Sequence, residues 1–119
     1  MIDSRKKTGR RGEALAAAYF VEKGYTILQR NWRCPAGELD IVMARDDTLI
    51  FVEVRARRGN HFGSAEESIT PAKRARLIAL AHTYIQQEQP SHTAWRIDVA
   101  AVRLDSRPQI THIENAVGW

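Results

Sequence analysis

Two acidic residues, Asp40 and Glu53, lie within an apolar stretch whose alternation predicts a β-hairpin over residues 37–55. When Asp46 and Asp47 form a two-residue turn, the two acids lie directly opposite each other on adjacent strands. Directly opposed side chains have Cβ atoms about 4.5–5.5 Å apart, so these carboxylates repel unless a positive charge lies between them. A divalent cation would meet this requirement, and the hypothesis depends on the hairpin register.

The same register pairs Arg45 with Thr48 and places Glu38 opposite Arg55, with their side chains on the face that carries the two acids. An alternative interpretation treats Glu53 and Arg55 as a rim ion pair and the other acid as a turn cap. Both strands are otherwise apolar on both faces, as in a central strand pair that is covered on both sides. Carboxylates are costly there without partners, which favours a site.

Two helices are expected to position this hairpin. The first is predicted from Gly12 to Lys23, and its nearly continuous apolar surface indicates packing against a sheet. Its first turn contains Glu13, which taken alone is explained by a favourable interaction with the helix dipole. The second helix is predicted from Thr70 as N-cap to about Gln87. Its first turns carry three cations that the dipole disfavours and that a nearby phosphate would stabilise, Lys73, Arg74 and Arg76.

The remaining segments predict three more strands, at Tyr25–Trp32, Ala94–Leu104 and Gln109–Glu114. The element order is αβββαββ, which predicts a three-layer α/β/α sandwich with a mixed central sheet. Asp98 is predicted to be structural and to form an ion pair with one of two neighbouring arginines, Arg96 or Arg103.

Length and composition restrict the class of protein. With 119 residues the chain is expected to form one domain over residues 12–119, preceded by a flexible basic arm over residues 1–11. The single cysteine, Cys34, excludes an intramolecular disulfide and a CxxC zinc site. The sequence has neither a signal peptide nor an apolar run of membrane-spanning length, so a soluble cytoplasmic protein without a membrane partner is expected.

The formal charge of +4 favours an anionic partner such as nucleic acid. Positive residues occur in the arm, at Arg10 and Arg11, and directly after the hairpin, at Arg57 and Arg58. Both groups are placed to contact a phosphate backbone, although solvated charge alone explains many such runs.

The order Glu13, Asp40, then Glu53-Val54-Arg55 resembles the PD-(D/E)xK nuclease superfamily, whose restriction-endonuclease-like core is also found in archaeal Holliday junction resolvases. The segments GRRGEALAAAYFVEKGY, GELDIV, FVEVRAR and ITPAKRARL more closely resemble the YraN-like family of small bacterial proteins predicted to be endonucleases. This resemblance covers most of the chain.

The resemblance implies a metal-dependent nuclease acting on DNA, including branched or damaged structures. It implies that Asp40, Glu53 and the backbone carbonyl of Val54 bind Mg²⁺ or Mn²⁺, with Glu13 completing the site directly or through a water. Arg55 stands where the superfamily usually has lysine, and because its guanidinium keeps its proton it can stabilise a phosphate but not act as a base.

The same comparison implies DNA contacts by seven cations, Arg10, Arg11, Arg57, Arg58, Lys73, Arg74 and Arg76, and a homodimer. Two alternatives remain open at this stage. One is a non-catalytic nucleic-acid-binding module of the same fold. The other is a structural protein whose acids form an ion-pair network with Arg55 and Arg57.

Overall fold

In a computed structural model, which describes residues 4–58 and 69–117, two helices cover the two faces of a five-stranded sheet. The helices are α1, Ser4–Glu22, and α2, Pro71–Glu88. The strands are β1 (Thr26–Cys34), β2 (Gly37–Arg45), β3 (Thr48–Arg57), β4 (Ala94–Arg103) and β5 (Gln109–Ile113). They lie in chain order, and only β3 and β4 are parallel. The predicted α/β/α sandwich, its element order and its mixed sheet are confirmed.

Alternating side chains of the sheet form two separate cores. The core under α1 includes its Phe20, packed with residues such as Ile41 and Val52. The core under α2 includes Tyr84, packed with residues such as Phe51. Burial of both faces explains why the strand sequences are almost continuously apolar.

The hairpin of β2 and β3 has the predicted register over its paired part, but the predicted pairs Asp40–Glu53 and Glu38–Arg55 lie beyond the end of the ladder. Arg45 pairs with Thr48, and the ladder continues without a shift to the pair Ile41–Val52. Asp46 occupies the left-handed region with φ of 53°, which a short aspartate side chain tolerates.

The two helix starts differ in how well local signals predict them. Thr70 caps α2, because its Oγ1 accepts a hydrogen bond from the Lys73 N–H at 3.2 Å, as predicted. By contrast, α1 begins at Ser4 rather than at Gly12, so residues 4–11 of the predicted arm are helical, while residues 1–3 lie outside the described part. The polar, basic character of these residues suggested a flexible arm, but they extend the helix by about two turns. Residues 7–11 of this extension are exposed or partly exposed. Neither described helix is long and apolar enough to cross a membrane.

Asp98 is fully buried and is satisfied by three partners. Arg96 Nε donates to its Oδ1 at 3.0 Å, the Asn115 N–H donates to the same oxygen at 2.9 Å, and His112 Nε2 lies 2.7 Å from Oδ2. Burial raises the pKa of Asp98, but these partners together hold it below its ordinary value. The predicted structural ion pair is therefore with Arg96.

The close approach of α1 to β3 at Gly12 positions the next residue, Glu13. A Cβ atom at Gly12 would lie only 2.5 Å from the Cβ of Ala56. We expect Gly12→Ala to lower the free energy of unfolding by about 1–3 kcal/mol, because α1 must move away from the sheet. Urea denaturation measures this loss.

Gly9→Ala is the matched control on the same helix, since no described atom lies within 4 Å of that position. It should be neutral or stabilising by about 0.5–1 kcal/mol, the usual gain for alanine over glycine in a helix. Adding Ala56→Gly to Gly12→Ala should recover part of the loss. Equal stability of the two single variants would contradict the close packing.

Candidate functional site

The sheet divides between β2 and β3. Their pairing ends at Ile41–Val52, whereas β2 stays paired with β1 as far as Gly37 and β3 stays paired with β4 as far as Arg57. At this division lies a cleft of about 340 Å³. The cleft is lined by Glu13, Ala36, Gly37, Glu38, Asp40, Glu53 and Arg76.

Asp40 and Glu53 are the first residues beyond the last pair of the ladder, and the structure brings both into the cleft. The Val54 N–H, which has left the ladder with β2, donates to Asp40 Oδ2 at 2.8 Å. The N–H and C=O of a strand residue point to the same edge, so the Val54 carbonyl is directed toward the cleft as well. The Asp40 carboxylate thus supplies the hydrogen-bond acceptor that a backbone carbonyl of β2 would provide in a regular ladder.

The pleat of β1 and β2 also changes at this point. Ile41 packs in the core under α1, but Leu39, two residues earlier, packs in the core under α2. Residues two apart in a regular strand face the same side, so the strand must turn between them, at Asp40. On β1 the corresponding position carries Asn31, whose φ of 55° lies in the left-handed region. The irregularity lets residues from α1, β1 and β2 meet at one place.

Three carboxylates meet there. One oxygen from each of Glu13, Glu38 and Asp40 lies within 4.8 Å of the others. With its amide nitrogen facing the acids, Asn31 donates at 2.8 Å to both Glu38 Oε1 and Glu13 Oε2. Arg33 Nε lies 3.2 Å from Glu38 Oε2. We refer to these three acids as the acidic cluster.

Burial and repulsion between acids raise the pKa values of the carboxyl groups in the cleft. Burial, followed by the charge of Glu53, raises the pKa of Asp40 to about 8, although the Val54 N–H opposes the rise. The pKa of Glu13 is raised by burial and by Glu38, against the hydrogen bond from Asn31. Burial also raises the pKa of Glu53, and nearby cations, of which Arg55 contributes most, oppose it.

Cations of β3 and α2 lie beside the cleft, and we call this group the α2 wall. Arg76 lines the cleft itself, and the charges of Arg55 and Lys73 act on Glu53. Burial lowers the pKa of Lys73, and the charges of neighbouring arginines lower it further, whereas Glu53 raises it. The Nε atom of Arg55 is buried and has no hydrogen-bond partner in the part of the chain that the structure describes. The α2 wall comprises Arg55, Arg57, Lys73 and Arg76.

The other predicted phosphate contacts have different positions. Arg10 lines a depression next to the cleft, together with Glu13 and Glu38. Arg74 lines a separate hollow at the start of α2. Arg11 and Arg58 are exposed, and they are not among the described residues that line the cleft or the depression.

Sequence reasoning missed two residues at the acidic cluster, Glu38 and Asn31. It placed Glu38 opposite Arg55, yet the structure places Glu38 in the acidic cluster, with Arg33 as its ion-pair partner. Glu38 lies two residues before Asp40, a spacing that could have suggested a shared site. Asn31 was treated as an ordinary strand residue, although asparagine is the residue that, after glycine, most readily adopts positive φ.

A pH series on the metal-free protein tests the repulsion at Asp40. An acid whose pKa is higher in the folded state stabilises the fold fully below its unfolded value, near pH 4, and this contribution is lost as pH rises toward 8. We expect wild-type unfolding free energy, measured with urea in EDTA, to fall by a few kcal/mol between pH 5 and pH 8, at about 1.4 kcal/mol per pKa unit. Asp40→Asn should flatten this dependence.

Asp46→Asn is the matched control, because Asp46 lies on the same hairpin, is exposed, and has a φ that asparagine tolerates. Its pH dependence should follow the wild type. A loss of several kcal/mol in Asp40→Asn at pH 8 would instead show that Asp40 serves a stabilising ion pair.

Substitutions of Asn31 separate its amide from its backbone. Asn31→Gly keeps the positive φ and removes the donor to Glu13, so the pKa of Glu13, followed by carboxyl NMR, should rise. Asn31→Ala should raise that pKa equally and also lower stability by about 1–3 kcal/mol through backbone strain. An unchanged Glu13 pKa in both variants would exclude the amide bridge.

The sequence model of the uncharacterised protein family UPF0102 matches residues 12–102. A UPF0102 protein of Roseiflexus castenholzii is 50% identical over 116 residues, which cover 97% of this chain and 94% of the relative. One of Pelotomaculum thermopropionicum is 46% identical over 119 residues, covering 98% and 99%. The chain therefore belongs to UPF0102, the YraN-like family that its motifs resemble.

Proposed function

We propose that this protein is a metal-dependent nuclease that hydrolyses phosphodiester bonds of DNA. The observation that carries the proposal is the cleft at the division of the sheet, where the acidic cluster and Glu53 lie beside the cations of the α2 wall. Carboxylates that bind a cation next to arginines that bind phosphate are the two components that phosphoryl hydrolysis requires.

The donor set fits a hard divalent cation. All of its donors are oxygens, which Mg²⁺ and Mn²⁺ prefer. Ligand distances of about 2.0–2.6 Å match the carboxylate oxygens of the acidic cluster, which lie within 4.8 Å of one another, and Glu53 lines the same cleft. Asp40 and Glu53, with the Val54 carbonyl, would hold the cation, and Glu13 would contribute directly or through a water. Glu38 extends this set. The raised pKa of Asp40 supports the assignment, because burial and the charge of Glu53 both disfavour its carboxylate form and a bound cation would stabilise that form.

Hydrolysis joins the oxygen of water to phosphorus, breaks one P–O ester bond and leaves a phosphate monoester and a hydroxyl group. When bound, the cation would supply neutralisation of phosphate charge and a more acidic water. Arg55 would bind the phosphate oxygens through its guanidinium group. Because its guanidinium keeps its proton, Arg55 would not act as a general base.

A nucleic-acid-binding module without turnover is the second candidate. The observation that favours it is Arg55 itself, since the superfamily resemblance leads us to expect lysine at this position. The cleft and the α2 wall would then bind a metal ion and a phosphate backbone without cutting it.

Three further parts of the proposal concern the cellular compartment, the oligomeric state and the preferred form of DNA. The single cysteine, Cys34, supports a reducing compartment such as the cytoplasm. Homodimerisation, which the resolvase resemblance implies, stays a prediction. Contacts to the backbone position DNA without reading its sequence, so selectivity for shape, including branched or damaged DNA, is part of the proposal.

Cleavage of linear, single-stranded, flapped and four-way-junction DNA with Mn²⁺ or Mg²⁺ tests the activity. Asp40→Ala should lower the rate by more than the roughly 10–100-fold that outer-shell partners of metal sites usually contribute, because it removes a metal-binding carboxylate. Arg55→Lys should raise the rate. Asp46→Asn, on the exposed turn of the same hairpin, should cleave like the wild type.

Metal binding gives a second readout that does not depend on cleavage. Mn²⁺ should raise the melting temperature of the wild type and not that of Asp40→Ala, because a ligand that binds only the folded state stabilises it. Stabilisation by Mn²⁺ without cleavage by either wild type or Arg55→Lys would replace the nuclease by the binding module.

A further inference from the structure

A second group of arginines faces the acidic cluster from the side of α1 and β1. Arg10 and Arg33 line a depression of about 450 Å³ that also contains Glu13 and Glu38. Burial raises the pKa of Glu13, and among the charges that oppose this rise Arg30 contributes most, so Arg30 lies close to the same acid. We call Arg10, Arg30 and Arg33 the β1 wall.

The depression and the cleft form one continuous groove. Glu13 and Glu38 line both of them, so the two spaces meet at the acidic cluster. One end of the groove is bordered by the β1 wall and the other by the α2 wall. The Arg33 side chain is 77% exposed while it contacts Glu38, so it can reach a ligand in the groove.

Positive charge on both sides of the acids has a consequence for the ligand. If the end of a nucleic-acid strand were bound at the acidic cluster, its phosphates would extend away on one side of the cluster only. Cations on both sides match a polyanion that continues in both directions, because phosphates recur at regular intervals along a strand.

We propose that one phosphodiester strand passes through the groove, with the β1 wall binding phosphates on one side of the acids and the α2 wall binding those on the other. The bond at the acids is then an internal one, as the resemblance to predicted endonucleases implies. This inference rests on the proposed nuclease function. The strand belongs either to single-stranded DNA or to one chain of a duplex, and the substrates below distinguish the two.

The salt dependence of DNA binding counts the phosphate contacts without any cleavage. In EDTA, we expect Arg33→Gln and Arg57→Gln each to reduce the slope of log K against log salt by about 0.7 for single-stranded DNA or about 0.9 for duplex DNA. Lys23→Gln, at the far end of α1 from Arg10, is the control and should leave the slope unchanged. An unchanged slope in Arg33→Gln and Arg30→Gln would overturn the proposal.

Circular substrates test whether the strand passes through. With Mn²⁺, we expect circular single-stranded DNA or covalently closed duplex DNA to be cut within a few-fold of the rate for the matching linear DNA. Digestion of linear DNA with both circles intact would overturn the inference while leaving the nuclease function in place. If no DNA is cut, the nuclease proposal is wrong, and the salt slopes then test the path of the strand. Reduced slopes for variants of both walls support a strand that crosses the groove. A reduced slope for variants of one wall only overturns it.

Discussion

The divergence of β2 from β3 is the constraint on which the site depends. A sheet that opens between two central strands leaves backbone donors and acceptors without their ladder partners, and an unpaired buried group costs about 1–3 kcal/mol. Asp40 meets part of this requirement, because its carboxylate accepts the Val54 N–H that has left the ladder. The same residue therefore bridges the opening and lines the cleft that the opening creates. A single carboxylate therefore satisfies the Val54 N–H and contributes negative charge to the cleft.

Asp40 and Asp98 show that burial raises the pKa of an acid in this fold unless its partners compensate. Asp98 is completely buried, yet its three partners hold its pKa below the ordinary value. Burial raises the pKa of Asp40 to about 8, because the Val54 N–H is its one hydrogen-bond donor among the described residues and Glu53 and other acids add to the rise. The first environment stabilises the fold, whereas the second opposes it in the absence of a cation. Concentrated, uncompensated charge of this kind is typical of functional sites.

Two backbone features, at Gly12 and Asn31, bring Glu13 into the acidic cluster. The absence of a side chain at Gly12 lets α1 approach β3 closely, which sets the position of Glu13 relative to the cleft. The left-handed conformation of Asn31 breaks the pleat of β1 and directs its amide between Glu13 and Glu38. Each feature is local, but together they join a helix, an edge strand and a central strand at one point. The cations of the two walls then surround a cluster that the fold itself holds together.

The sequence determined the features that arise from short-range chemistry. Alternation and the Asp46-Asp47 turn gave the hairpin register, the Thr70 cap gave the start of α2, and the element order gave the layered fold. The two hairpin acids were found because register follows from a period of two residues. Tertiary structure alone decided the division of the sheet, the meeting of Glu38 and Asn31 at the acidic cluster and the place of Arg33. These depend on distances between elements that are far apart in the chain, and packing, not local propensity, sets those distances.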